Sequence, residues 1–295
     1  MPADSVSLDK VRREIDAIDD ALHDALMRRA SLILEVSRAK EDGAGSAMRP
    51  GREAQILRRI SSRHDGDLPL EVVFRIWREL INAATAMQGP IAVAVCAPEK
   101  SAGYWDLARN HFGASTPMTL HVAPSVVMRH VVETPGMLGI LPEPQDEEET
   151  PWWPLLASEA RGGDVPRIVW RLPFFASPSG RFEELGALVI SCMDPERSGQ
   201  DVTVAAFDCD LDVSRGRLLE ALDGVGLPGR VVATREGEVA RGRLHLVLID
   251  DFVAEDDHRL VRLATVMDET LYRAVVLGSY PEPIHAPGAT TPAEA

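Results

Sequence analysis

Three basic residues on one long predicted helix have the type and spacing to bind an anionic substrate. Arg29 and Lys40 are eleven residues apart, about three helical turns or ~16 Å, so they project from roughly the same face. Arg12 precedes Arg29 by seventeen residues, which is about 25 Å along a helix. Arg12 could therefore reach such a pocket only from a second chain whose helix runs antiparallel. The alternative interpretation is that all three are solvated surface cations.

The helix that must position these residues is predicted over 7–40. Ser7 is a suitable N-cap residue, and neither glycine nor proline interrupts the run before Gly43. A helix of this length extends about 50 Å, too long for a small isolated domain, so we expect partner helices from another subunit to cover it. Its apolar residues at helical spacing are Ile15, Ile18, Leu22, Leu26, Ile33 and Val36.

Two further helices are predicted before the first domain boundary. One runs from about residue 49 to 64, and the other runs from about 70 to 87, ending at Gly89-Pro90. The second carries an apolar stripe of Val73, Ile76, Trp77, Leu80 and Ile81. Residues 1–90 are therefore predicted to form an all-α, three-helix domain.

Beyond residue 90 the pattern changes to alternating strands and helices. Residues 91–198 are predicted to form an α/β domain. The order βαββαβ over 199–283 predicts an α+β ferredoxin-like domain. The acidic stretch 142–150 is interpreted as a solvated loop, and the Pro/Ala/Thr-rich tail 284–295 as disordered.

The charge distribution also separates the first domain from the rest. The chain has a net charge of −15, which argues against nucleic acid as a partner. Residues 1–90 carry 14 basic and 15 acidic residues, and the remainder carries 17 and 31. The three cysteines are not at metal-binding spacing, and the sequence has no apolar run long enough to span a membrane. These features predict a cytoplasmic protein without metal or cofactor.

Residues 7–90 resemble the helical chorismate mutase domain. The resemblance rests on the runs 11–19 (VRREIDAID), 28–29 (RR) and 36–40 (VSRAK), on Arg52-Glu53, and on Gln88. In that family three helices per chain intertwine into a homodimer, and each active site takes residues from both chains. The resemblance therefore implies an isomerase that converts chorismate to prephenate in aromatic amino-acid biosynthesis.

The resemblance also implies a role for each matched residue. Arg12, donated across the dimer, and Arg29 would bind the two carboxylates of chorismate, while Lys40 and Gln88 would donate to the breaking ether oxygen. Glu53 would accept a hydrogen bond from the ring hydroxyl, and Arg52 would orient Glu53 or assist a carboxylate. These six residues, Arg12, Arg29, Lys40, Arg52, Glu53 and Gln88, form the predicted substrate site, of which Arg12, Arg29, Lys40 and Gln88 would be catalytic.

Three positions qualify the assignment. Gln88 needs no proton to act as a donor, so we expect activity that is flat around neutral pH. Arg49 stands where some relatives have an aspartate whose backbone contacts the hydroxyl, and Ala84 stands where they have a serine. The second exchange removes one expected hydrogen bond to a carboxylate.

The remainder resembles a prephenate dehydratase, with its periplasmic-binding-like α/β fold, followed by an ACT regulatory domain. Residues 276–281 (VLGSYP) and 139–142 (GILP) carry this resemblance. However, the catalytic Thr-Arg-Phe triplet is replaced by Leu185-Gly186-Ala187, which predicts a non-catalytic dehydratase-like region. The effector-binding motifs of the ACT domain survive only as Gly216-Arg-Leu218 and Thr234-Arg235-Glu236, so a small-molecule effector stays an open prediction.

Four functions are compatible with these patterns. The favoured one is a chorismate mutase with a non-catalytic, regulatory or scaffolding C-terminal region. The alternatives are a bifunctional mutase and dehydratase, an isochorismate pyruvate-lyase, and a non-catalytic protein that binds chorismate or an amino acid. The donors at residues 40 and 88 favour turnover over binding alone.

Overall fold

The computed structural model describes most of the 295-residue chain. The described ranges are 7–39, 47–98, 103–146, 148–159, 165–176, 185–237 and 242–285. Lys40 and the predicted breaker 42–46 lie outside them, as does 286–295 of the predicted tail. Over the described ranges, the helices are either too short or too polar to cross a membrane.

The first part of the chain consists of the three predicted helices. They are α1 (Leu8–Ala39), α2 (Pro50–Arg63) and α3 (Leu70–Ala86). Pro50 at the first position of α2 suits a helix start, because that position donates no intrahelical hydrogen bond. The prediction of an all-helical N-terminal region is confirmed.

Helix α1 exposes its apolar face to solvent. None of its 32 residues is buried, and Arg29 hydrogen-bonds the carbonyl of Leu80 on α3. The large hydrophobic residues exposed along it are Leu8, Ile15, Ile18, Leu22, Met27, Leu32 and Val36. Of the stripe predicted to face a core, Leu26 and Ile33 are half-buried, and the other four residues are left exposed by this chain.

An α/β unit follows α3. It contains β1 (Ala92–Cys96), α4 (Gly103–Phe112), β2 (Met118–His121), α5 (Pro124–Glu133), β3 (Met137–Pro142), α6 (Trp153–Glu159), β4 (Arg167–Leu172) and β6 (Ala187–Ser191). The strand order is β2-β1-β3-β6-β4, with β1, β2 and β3 parallel and β6 antiparallel to both of its neighbours. The short helix α6 was not predicted from the sequence.

The second unit has the predicted βαββαβ order. Its elements are β7 (Asp201–Asp210), α7 (Arg215–Gly224), β8 (Gly229–Glu236), β9 (Gly242–Ile249), α8 (His258–Met267) and β10 (Leu271–Pro281). The strands lie in the order β10-β7-β9-β8 and pair antiparallel throughout. This is the strand order of a ferredoxin-like sheet.

The two units share one nine-stranded sheet, which the sequence did not predict. Strand β10 pairs with β4 at Gly278 and Ile168. Gly278 has a φ of 140°, and a Cβ atom at this position would overlap the backbone of Ile168. Only glycine permits so close an approach, so this residue makes the junction of the two units possible.

The helical region is docked on the α/β unit. Ala54 and Leu57 of α2 and Phe74 and Ile81 of α3 share a hydrophobic core with strands β1, β3, β4 and β6. Arg58 of α2 adds hydrogen bonds to Ser198 Oγ (2.9 Å) and to the carbonyls of Gln200 (2.8 Å) and Glu282 (2.9 Å). Helices α2 and α3 are thus part of the same folded body as the sheet.

The first two residues of the predicted tail form a short strand. Ile284 and His285 form a short strand, β11, which pairs in parallel with β5 (Phe175–Ala176). The prediction of disorder from residue 284 is therefore wrong for these two residues. The apolar Ile284 packs beside the core that α2 and α3 share with the sheet, which explains why the segment is held.

Candidate active site

Arg29 is the predicted site residue that the structure holds most firmly on α1. It is half-buried, and its Nη1 donates to the carbonyl of Leu80 on α3 at 3.2 Å. Burial lowers the pKa of this guanidinium from its ordinary value, yet it stays charged at neutral pH. A half-buried cation held by a neutral carbonyl is a favourable position for an incoming anion.

Arg12 lies far from Arg29 on the same helix. It is exposed, and its nearest ionic neighbour is Asp9 at 3.8 Å, one turn earlier. The seventeen-residue spacing within α1 separates the two arginines by about 25 Å along the helix. One chain therefore does not bring them together, and Lys40 lies outside the described residues.

Arg52 and Glu53 lie in the first turn of α2 but differ in exposure. Arg52 is exposed and donates to Gln55 Oε1 at 3.5 Å, whereas Glu53 is buried. Consecutive helical residues are rotated by about 100°, so only one of the two can face the α/β unit. The structure does not show the expected contact by which Arg52 would orient Glu53.

Arg78 of α3, which was not predicted as a site residue, orients Glu53. Its Nη1 lies 2.8 Å from Glu53 Oε2, its Nε donates to the carbonyl of His111 at 2.8 Å, and its Nη2 donates to Asn82 Oδ1 at 3.1 Å. Asn82 Nδ2 donates to the same His111 carbonyl at 2.8 Å. This network fixes Glu53 and ties α2 and α3 to the end of α4.

A sequence signal for Arg78 did exist. The buried face of α3 is formed by Val73, Phe74, Ile81 and Ala84, and Arg78 lies on it at helical spacing from Phe74 and Ile81. A charged residue on an apolar helix face requires a partner, because burying an unpaired charge is costly. The partner, Glu53, could not be identified without the packing of α2 on α3.

Gln88 follows the end of α3. It is half-buried, and its Nε2 donates to the carbonyl of Ala84, four residues earlier, at 3.1 Å. The side-chain amide is thus folded back on the helix end. One of its two N–H donors is engaged there, and the amide retains the capacity to donate once more.

The start of β6, where the dehydratase triplet is replaced, is occupied by another side chain. Glu143 Oε1 and Oε2 accept from Arg171 Nε and Nη2 at 2.9 and 3.0 Å. The Glu143 backbone N–H donates to the carbonyl of Gly186 at 3.0 Å. A Cβ atom at residue 186 would overlap the Glu143 carboxylate, so any larger residue there requires Glu143 to move.

The charges at this position are mutually satisfied. Burial alone would lower the pKa of Arg171, but Glu143 more than offsets this and the pKa is raised. Neighbouring Tyr280 is almost fully buried, and burial raises its pKa far above the usual value. The described residues also contain no group of three His, Cys, Asp or Glu side chains that could hold a metal ion.

Comparison with known proteins identifies the helical region. Residues 11–89 match the family model of chorismate mutase type II. The N-terminal region is a chorismate mutase type II domain. Arg12, Arg29, Arg52, Glu53, Arg78 and Gln88 all lie within this mutase domain.

The curated relatives are longer bifunctional enzymes. The chain is 32% identical over 145 residues to the bifunctional chorismate mutase/prephenate dehydratase of Pseudomonas aeruginosa, which covers 48% of this chain and 40% of that protein. It is 34% identical over 102 residues to the enzyme of the same name from Neisseria gonorrhoeae, covering 35% and 27%. The matches thus span less than half the length of these relatives.

Solved structures resemble the region beyond the mutase domain. Prephenate dehydratase from Streptococcus mutans superimposes on 66% of this chain and 100% of its own, with a TM-score of 0.46 and 11% identity.

Proposed function

We propose that the chain is a chorismate mutase that rearranges chorismate to prephenate. The observation that carries the proposal is the chorismate mutase type II domain over residues 11–89. The substrate is a dianion, and the rearrangement is pericyclic, so it requires no acid, base or nucleophile. Catalysis can come from holding the reactive conformer and stabilising charge at the ether oxygen.

The half-buried Arg29 supports a carboxylate site on α1. Its guanidinium is anchored by one donor to the Leu80 carbonyl, which leaves other N–H groups of its planar fork for a carboxylate. In the proposed site Arg12 binds the second carboxylate, and Lys40 and Gln88 donate to the ether oxygen as negative charge develops.

The buried Glu53 is proposed to accept from the ring hydroxyl with Oε1, since Arg78 holds Oε2. Arg78 would then act as a positioning residue that keeps this carboxylate correctly turned. The exposed Arg52 is left free to assist a substrate carboxylate. This assignment makes the α/β unit part of the support of the mutase site, because Arg78 also binds the His111 carbonyl of α4.

The active unit is proposed to be a homodimer in which the α1 helices of two chains cover each other. Seven large hydrophobic residues exposed on α1 support this, since a face of that length is not stable in water by itself. An antiparallel partner helix would bring its Arg12 to the Arg29 of this chain. The odd number of cysteines supports a reducing compartment, the cytoplasm, for the dimer.

The C-terminal region is proposed to be a scaffold or regulatory module without dehydratase activity, and its ferredoxin-like unit to be ACT-like. The Glu143–Arg171 pair at Gly186 supports the loss of activity, because it fills the position where the dehydratase triplet would project. The bifunctional function is the second candidate, favoured by the names of the curated relatives. It would require the start of β6 to supply an acid that Leu185, Gly186 and Ala187 lack.

The mutase site is tested by comparing Lys40→Ala with Lys10→Ala on the same helix. Lys10 is exposed and forms only a distant pair with Glu14, so its replacement should leave turnover unchanged. Loss of Lys40 removes a donor to the ether oxygen and should lower kcat by about 10²–10³-fold. An unchanged kcat in Lys40→Ala would contradict the proposed site.

The shared site is tested by mixing two inactive variants, Arg12→Ala and Lys40→Ala. In a mixed dimer one site carries both defects and the other carries none. Random exchange of subunits should therefore restore about a quarter of the wild-type activity. If the mixture stays inactive while subunit exchange is demonstrated, Arg12 does not act across the dimer.

A further inference from the structure

The acidic loop after β3 is bound to the ferredoxin-like unit, contrary to the prediction that it is simply solvated. Both carboxylate oxygens of Asp146 accept from Arg215 Nη2, at 2.7 and 2.6 Å. The backbone N–H of Thr234 donates to Asp146 Oδ1 at 3.0 Å. Asp146 and Arg215 are 69 residues apart in the chain, so this is a contact between the two units.

Arg235 holds the backbone of the same loop. It donates to the carbonyls of Asp146 (2.5 Å), Gln145 (3.3 Å) and Glu148 (2.6 Å). The loop therefore curves around one guanidinium and presents the Asp146 side chain to another. Together the two arginines fix both the path of the loop and the direction of its carboxylate.

The groups that receive the carboxylate are positioned by the ferredoxin-like unit alone. Arg215 is the first residue of α7, where the helix end favours negative charge. Its Nε donates to Thr234 Oγ1 at 3.0 Å, and that hydroxyl also contacts His245 Nδ1 at 3.0 Å. Strand β8 is at the edge of the sheet, so the outward N–H of Thr234 has no neighbouring strand to bond.

We propose that Arg215 and the Thr234 N–H form a carboxylate-binding site whose built-in ligand is Asp146, and that Arg235 holds the backbone of the loop that carries this ligand. The bound loop then acts as a latch between the α/β and ferredoxin-like units. A small free carboxylate, such as acetate or the carboxylate of an amino acid, competes with Asp146 for the same donors. This site is independent of the mutase reaction, since all of its groups lie outside residues 11–89.

Chemistry supports a carboxylate rather than another anion. One guanidinium group and one backbone N–H donate to the two oxygens of the carboxylate, and the second guanidinium lies 4.0 Å from Oδ1. The side chain that is bound is itself a carboxylate. The donors lower the pKa of Asp146, chiefly through the Arg215 hydrogen bond. The occupant is therefore fully ionised at neutral pH.

The proposal is tested in the full chain by replacing Asp146 with alanine, with Glu149→Ala as the matched control. Glu149 is exposed on the same loop, so both variants lose one negative charge. Hydrogen exchange followed by mass spectrometry reads peptides containing Thr234 and residues 143–149. We expect these amides to exchange about tenfold faster in Asp146→Ala and to be unchanged in Glu149→Ala.

Added acetate then distinguishes a binding site from a structural contact. In Asp146→Ala, acetate should restore protection at Thr234, whereas chloride at the same ionic strength should not. Adding Arg215→Ala to this variant should abolish the effect of acetate. Equal exchange in the two single variants would overturn the latch, and loss of protection without rescue by acetate would overturn the binding site.

Discussion

Replacing Arg78 by methionine should destabilise the folded chain by about 3–5 kcal/mol. The substitution keeps an unbranched apolar stem, although a shorter one, and removes the charge and the donors of the side chain. Glu53 would then be left as a buried carboxylate without its cation. Removing one partner of a buried pair typically costs this amount, because the remaining charge is neither solvated nor paired.

The magnitude follows from the geometry of the pair. At the observed 2.8 Å between Arg78 Nη1 and Glu53 Oε2, the gross attraction is about 6 kcal/mol for an effective dielectric constant of about 20. Desolvation of both groups offsets part of this gain in the native chain. The variant also loses the hydrogen bonds to the His111 carbonyl and to Asn82, although Asn82 still donates to that carbonyl.

Equilibrium unfolding in urea measures the effect at constant protein concentration, since the proposed dimer would make stability depend on concentration. Hydrogen exchange of peptides from α3 and α4 shows whether the loss of stability occurs at the contact between these helices. Arg75→Met is the matched control, because Arg75 is exposed on the same helix. The double variant Glu53→Met/Arg78→Met should be more stable than Arg78→Met alone. A loss below about 1 kcal/mol, the level of an exposed pair, would refute the reasoning.

Three further predictions follow from individual residues. His245 is buried, and its pKa is lowered to about 4, first by desolvation and then by nearby arginines. Because the unfolded chain takes up the proton first, the free energy of unfolding should fall by up to about 3 kcal/mol as the pH drops from about 6.5 to 4. In His245→Asn, urea unfolding should show a flatter pH profile over that range. Gly278→Ala should destabilise the chain by at least about 1–3 kcal/mol in thermal unfolding, because the positive φ of Gly278 and the Ile168 backbone exclude a Cβ atom. In the control, Gly224→Ala, the added Cβ atom meets open space. Equal losses of stability in the two variants would contradict the role of Gly278. Gln88→Glu should make kcat fall as the pH rises above the pKa of the new carboxyl, whereas the native profile stays flat; parallel profiles would show that this side chain gives no hydrogen bond to the substrate.

The elements of the fold were predictable because their signals are local. Helix α1 was predicted over 7–40 and is observed over Leu8–Ala39. The βαββαβ order was read from apolar runs separated by turn residues, and β7 to β10 follow it. Periodicity and turn residues determine such elements without knowledge of the tertiary structure.

The contacts between units were not predictable, because they depend on residues far apart in the chain. The acidic loop was interpreted as solvated, yet Glu143 pairs with Arg171 and Asp146 with Arg215. The predicted stripe on α3 included Ile76, which is exposed, and omitted the buried Phe74, because docking on the α/β unit turns the helix. An acidic stretch of sequence does not indicate which cation the fold places beside each carboxylate.

The predicted site was only partly accessible to sequence reasoning. The resemblance supplied Arg12, Arg29, Lys40, Arg52, Glu53 and Gln88, but not Arg78, whose role depends on the packing of α2, α3 and α4. The spacing of Arg12 and Arg29 on one helix correctly indicated that they do not meet within a chain.

The most direct test of the account is the product formed from chorismate by the purified full chain. Chromatographic separation of prephenate and phenylpyruvate over the time course distinguishes the two activities. The account predicts prephenate as the accumulating product, with no phenylpyruvate above the rate of spontaneous breakdown in a no-enzyme control supplied with prephenate. Enzyme-dependent phenylpyruvate would contradict the loss of dehydratase activity at Gly186, and unchanged chorismate would contradict the mutase function itself.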